Sequence, residues 1–113
     1  MSTINDNNSR AYSDIKFTGQ NIELTDALKE ITTKKITKNI IKHYTKWITN
    51  GIDVIMKIDN NEAQIAEMNV HVHEKTLNAT AKTDDIYKSI DEMVHKMEVQ
   101  LEKFKGKNLG HQQ

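Results

Sequence analysis

The chain has no cysteine, only four glycines, and six aromatic residues (two phenylalanines, three tyrosines, one tryptophan) among 113 residues. Without cysteine there is no disulfide framework, no thiolate zinc site and no thiol nucleophile, a composition that fits a reducing, cytoplasmic setting. The few glycines form no glycine-rich phosphate loop, and no serine-elbow pattern occurs. With so few aromatics, stacking on splayed bases is not a main device of any surface here. No apolar run comes near the ~18 residues of a membrane span, and Met1 to Tyr12 lacks the apolar stretch of a secretory signal. A net charge of one sign is also missing: 16 basic and 16 acidic side chains cancel. A generic nucleic-acid binder is usually basic overall, so any support for that class has to come from where the charges sit.

What is present fits one modest domain. Residues 1-12 are polar and Asn/Ser-rich and read as a disordered tail. Residues 13-107 carry the periodic patterns, and 108-113 form a short C-terminal tail. Ile15 and Phe17 alternate with polar residues up to Gly19, which predicts a short strand. Thr25 is an N-cap candidate, with Asp26 in the first turn. A helix then begins at Leu28 and Ile31. Its second half, Ile36, Ile40, Tyr44 and Trp47, falls on a rotated arc, so either it bends or it ends before His43. Asn50-Gly51 reads as a turn closing this segment.

Three period-two runs follow: Ile52, Val54, Met56 and Ile58; Ala66, Met68, Val70 and Val72; Leu77, Ala79 and Ala81. Asp59-Asn60-Asn61 and His73-Glu74-Lys75 are the expected hairpin turns. Asp84 and Asp85 open a last helix whose Ile86, Ile90, Met93, Val94, Met97, Leu101 and Phe104 share one face, with Gly106 as its terminator. The expectation is an α+β domain of order β-α-β-β-β-α, a four-stranded sheet with two helices packed on its one apolar face.

Two constellations could carry chemistry. His71 and His73 are expected on one strand face, with Glu67 beside them, as metal ligands would be. The plain alternative is that they are solvent-side residues of a half-exposed sheet, and a two-residue pattern favours it. Asp84-Asp85 reads likewise as a helix start. The lysines are more informative: between Lys29 and Lys46 lie six lysines and a single acid, Glu30. On a helical wheel Lys34, Lys35, Lys38, Lys42 and Lys46 fall within about 120° of one another. Lys88, Lys96 and Lys103 make a thinner row on the last helix. Two adjacent helices presenting such rows would form a phosphate-neutralising surface; the plain alternative is the ordinary wet face of an amphipathic helix.

The segment from Phe17 to Leu28, FTGQNIELTDAL, resembles the opening of the bacterial ribosome hibernation promoting factors, a family that includes the ribosome-associated inhibitor. Asp85-Ile86-Tyr87-Lys88-Ser89-Ile90-Asp91 resembles the start of that family's last helix, and Lys96, Gln100-Leu101 and Lys103-Phe104-Lys105 fit its continuation. The resemblance spans roughly residues 15 to 107. It implies a fold similar to double-stranded RNA-binding domains and a cytoplasmic, non-enzymatic factor with no cofactor, no metal, no membrane and no small-molecule substrate. The implied partner is the small ribosomal subunit, through ribosomal RNA of the decoding region, where the factor blocks messenger and transfer RNA and silences translation under stress. Inactive ribosome dimers are a further outcome that the resemblance allows. It implies RNA contacts for Lys29, Lys35 and Lys38 on the first helix and Lys88, Lys96 and Lys103 on the last; the wheel adds Lys34 and Lys42. The sequence departs from the family at Glu74-Lys75, where a hairpin glycine is common, and at Val99, where an arginine is common. The chain also carries an extra N-terminal tail and has neither the second domain of long forms nor the inhibitor's C-terminal extension, which places it nearest the short form. The alternative is a generic double-stranded RNA-binding module acting off the ribosome.

Overall fold

A computed structural model describes residues 15–110, with side chains described up to residue 107. The expected tail over residues 1-12 lies outside the described residues. The element order is β1 (Ile15–Gln20), α1 (Asp26–Ile36), a π-helical stretch (Thr37–Ile41), α2 (Lys42–Tyr44), β2 (Ile48–Ile58), β3 (Gln64–Val72), β4 (Lys75–Thr83) and α3 (Ile86–Gly110). The sheet runs β1-β2-β3-β4, with β1 parallel to β2 and the other two pairings antiparallel. This is the α+β architecture expected from the alternating and helical patterns.

The register lines the apolar side chains up in rungs that cross the whole sheet. Ile15, Ile52, Val70 and Leu77 form one rung; Phe17, Val54, Met68 and Ala79 the next; Gly19, Met56, Ala66 and Ala81 the third. Because strand side chains alternate, every rung member faces the same side, and both helical segments cover that side. Leu28, Ile36, Ile40, Ile41 and Tyr44 pack there with Ile86, Ile90, Met93, Val94, Met97 and Leu101 in one continuous core. Ala79 and Ala81 keep β4 thin where α3 crosses it. Gly19 is required by the β1–α1 connection, because a Cβ there would stand 2.8 Å from Leu24 Cγ and 3.0 Å from the Ile22 carbonyl oxygen.

Local chemistry sets the element ends. Thr25 caps α1, its hydroxyl accepting from the Leu28 amide at 3.1 Å. Asp85 caps α3 by accepting from the Tyr87 amide at 2.9 Å. In the β2–β3 turn Asp59 accepts from the Ala63 and Asn61 amides, and these bonds, with Lys82 nearby, hold its carboxyl below the usual range.

Four expectations change. The first helix neither bends simply nor stops before His43: a wider π-helical turn continues it. Steps of four residues overshoot an α-helical turn by about 40°, and the wider turn absorbs that drift, so Ile36, Ile40 and Tyr44 all stay buried. Thr32, not Ile31, takes the core position in α1, its hydroxyl donating to the Leu28 carbonyl at 2.8 Å. Asn50-Gly51 is not a turn closing the segment but lies inside β2, where the register slips between Ile48 and Ile52 and Gly51 has φ 101°. A bulge needs the same glycine that a hairpin does, so the local signal was ambiguous. Finally, α3 runs through Gly106 to Gly110.

Two predictions follow from these contacts. Gly51→Ala should destabilise the chain by about 1–3 kcal/mol in denaturant unfolding, because an alanine is strained at that φ. The Tyr44 hydroxyl donates to Glu102 at 2.5 Å; burial, that bond and the charges of Glu102 and Glu98 push its pKa from 10.0 up to about 12. A raised tyrosine pKa means that the unfolded chain ionises first. The contribution is therefore complete below pH 10 and lost as pH rises toward 12. In thermal melts Tyr44→Phe should show a shallower alkaline loss of stability than the parent across that window.

Candidate nucleic-acid interface

The lysine stripe of the first helix divides once the fold is in place. Lys34, Lys38 and Lys42 are exposed at steps of four, and the π-helical turn that holds the core residues in phase also keeps these three in line on the opposite side. Lys35 is half-buried and turned toward α3, its Nζ 2.7 Å from Asp91. Lys29 sits toward β1, lining a shallow depression with Phe17, Asp26, Glu30, Thr33 and Lys34.

The row on α3 lies on the other flank of that helix. Lys96 reaches the β4 edge and donates to the Thr80 carbonyl at 2.8 Å, and Gln100 donates to the Asn78 carbonyl. Lys88 lies 3.8 Å from Asp84, and Lys103 is exposed. The flank of α3 that faces α1 is acidic instead: Asp91 meets Lys35, and Glu98 and Glu102 surround Tyr44. The two lysine rows thus share the helical layer but do not merge; a carboxylate seam separates them. Sequence spacing alone could not show this, because it gives the angle around each helix and not the direction of its neighbour.

One group of side chains was not singled out from the sequence. At the end of the α1–α2 path, His43, Tyr44 and Trp47 form successive ring contacts, with centroids 6.3 and 6.4 Å apart. Lys46 Nζ lies 5.4 Å from the centre of the Trp47 ring, and Lys105 Nζ lies 5.9 Å from it and 6.0 Å from that of Tyr44. Lys46 belongs to the stripe, but Lys105 arrives from α3, 59 residues later in the chain by the numbering.

The histidine pair expected on β3 does not form. His71 lies on the uncovered sheet face, with Nδ1 2.9 Å from the Thr76 hydroxyl and Nε2 3.4 Å from Asp53. His73 falls after the strand in a two-residue turn, at φ 48°, and packs against Phe104, their ring centres 5.7 Å apart. Glu67 instead accepts from Asn78 at 2.7 Å. Among the described residues no group of three or more His, Cys, Asp or Glu side chains could hold a metal ion, and no helix is long and apolar enough to cross a membrane. In this short turn, where a hairpin glycine is common in the family, His73 carries the positive φ.

The profile of the family described as "Sigma 54 modulation protein / S30EA ribosomal protein" matches residues 15–108. The ribosome hibernation promoting factor of Klebsiella oxytoca is 32% identical over 97 residues, covering 86% of this chain and 98% of that protein. Among solved structures, a ribosomal subunit interface protein from Coxiella burnetii superposes with a TM-score of 0.73 at 36% identity, over 81% of this chain and 97% of that one. The N-terminal domain of Thermus thermophilus Protein Y gives 0.69 at 25% identity, over 79% and 94%. Matched by the family model over residues 15–108 and in structure over about four fifths of its length, the chain belongs to the Sigma 54 modulation protein / S30EA ribosomal protein family.

Proposed function

We propose that this chain is a ribosome hibernation factor that binds the small subunit in its decoding channel, excludes messenger and transfer RNA, and silences translation in the cytoplasm without turning over any substrate. The observation that carries this reading is the coincidence of two independent features. Relatives named for ribosome hibernation align over nearly their whole length, and the exposed row Lys34, Lys38 and Lys42 stands on the outer surface of the helical layer. Such a row binds phosphate by releasing condensed counterions, so affinity comes without base-specific contacts and falls steeply with salt.

The lysines expected to bind RNA differ in their exposure and in the partners they already hold. Lys34, Lys38, Lys42 and Lys103 are exposed and suited to phosphate. Lys35 and Lys96 already have partners in Asp91 and the Thr80 carbonyl, and would have to exchange them. Lys29 and Lys88 flank the rows beside acidic neighbours.

Co-sedimentation with purified small subunits, with and without messenger and initiator transfer RNA, tests the reading. The chain should travel with the subunits at moderate salt and be displaced by the two RNAs; a chain that sediments free at moderate salt overturns the proposal. Equal affinity for free duplex RNA would favour the generic double-stranded RNA-binding module instead. Lys34→Gln with Lys38→Gln should weaken subunit binding and reduce the slope of log affinity against log salt by about one to two units. The fold should be nearly unaffected, since exposed substitutions usually cost about 0.5 kcal/mol or less. Lys57→Gln with Lys75→Gln removes the same charge from the strand side and a hairpin, and should change binding little.

A further inference from the structure

The cluster around Trp47 adds aromatic rings to the end of the lysine stripe, and Trp47 itself is only partly buried. Trp47 is the chain's single tryptophan. It is half-buried, with part of the ring packed against the core cluster and part at the surface. That arrangement holds an indole in a fixed orientation. Two ammonium groups, from Lys46 and Lys105, lie within 6 Å of its centre, attracted by the ring quadrupole. The lysine ion pairs found among the described residues engage Lys35, Lys82 and Lys88. Lys46 and Lys105 are held by rings instead, on flexible stems that can turn to a phosphate without abandoning a carboxylate. The corner also lies where the exposed row Lys34, Lys38 and Lys42 leads, at the end of the same helical path.

Resting on the reading above, we propose that this corner is a stacking site for one unpaired nucleotide of the RNA partner, its base lying against the Trp47 indole and its flanking phosphates meeting Lys46 and Lys105. A fixed aromatic platform flanked by cations is how proteins hold unpaired bases, and it tolerates any base because each has a π face. The helical row tracks a backbone, and the corner receives the point where that backbone leaves a paired region. The site also explains why a chain with so few aromatics gathers three ring residues at one helix end.

Two measurements on small subunits test this. The first compares the affinity of the wild-type chain with Trp47→Phe, Trp47→Leu and the double variant Lys46→Gln, Lys105→Gln across a salt series, with thermal melts confirming that each is folded. Trp47→Phe should bind nearly as well as wild type. Trp47→Leu should be about tenfold weaker, the scale of one lost base–aromatic stack, at an unchanged salt slope. The lysine double should bind more weakly with a shallower slope. A folded Trp47→Leu chain that binds like Trp47→Phe overturns the stack. The second measurement does not depend on the leucine variant folding. Because the chain has no cysteine, Lys46→Cys carries a single tethered iron chelate, and hydroxyl-radical cleavage should centre on an unpaired stretch of ribosomal RNA. Cleavage confined to paired segments, or none on bound subunits, overturns the site while leaving subunit binding intact. Failure of the wild-type chain to bind subunits at all removes the wider reading and this one together.

Discussion

A four-stranded sheet with one apolar face has to be roofed, and that requirement organises the rest of the molecule. The three rungs from β1 to β4 present Ile52, Val54 and Met56 on β2 and end at β4 in Leu77, Ala79 and Ala81. Burial of such surface is worth about 25 cal/mol per Å², so leaving any rung open to water would cost the domain much of its narrow stability margin. A single helix cannot span four strands. The first helical path supplies Leu28, Ile36, Ile40 and Tyr44, and α3 supplies Ile90, Met93, Met97 and Leu101. The opposite sheet face, with Asp53, Glu67, Asn69, His71 and Asn78, is left to polar cross-strand contacts.

The π-helical turn is where packing and surface chemistry meet. It lets a helical path keep contact with the sheet at four-residue steps, and any device that phases the buried side phases the exposed side equally. The lysine row is therefore straight because the core is. Wide turns of this kind often occur at functional sites. Here the reason is geometric: a repeat of four on both faces of one helix is inconsistent with 3.6 residues per turn unless the helix widens.

Much of the fold was legible in the sequence because its signals are local. Period-two alternation in Val54, Met56 and Ala66, Met68, Val70 fixes faces directly, and Thr25 and Asp85 cap helices through bonds within three residues. The misreadings each involve a signal that serves two structures. Asn50-Gly51 suits a hairpin and a bulge alike, and Gly106 can end a helix or be carried through when Leu101 already anchors the last buried turn. The site was legible residue by residue but not as a surface. Lysine spacing names the exposed side of each helix, yet only the docking of α3 through Asp91 and Glu102 shows that carboxylates separate the rows. Lys105 beside Trp47 was out of reach altogether, since no local pattern relates positions so far apart. His73 was misplaced by one residue, because its strand ends at Val72 and alternation stops with it.

The contacts of Lys96 and Gln100 with the outer edge of β4 bear on how the molecule behaves in concentrated solution. A sheet ends in rows of unpaired amides and carbonyls, and any such row can template a further strand from another copy. At β4 the carbonyls of Asn78 and Thr80 are already taken by α3, so a strand approaching from that side would have to break bonds before making any. Among the described residues β1 is the remaining edge strand, six residues long, with Lys16 and Thr18 on its uncovered face. Growth into an extended cross-strand aggregate needs two receptive edges, one at each end of every unit; a chain with one blocked edge terminates such growth at the first pair.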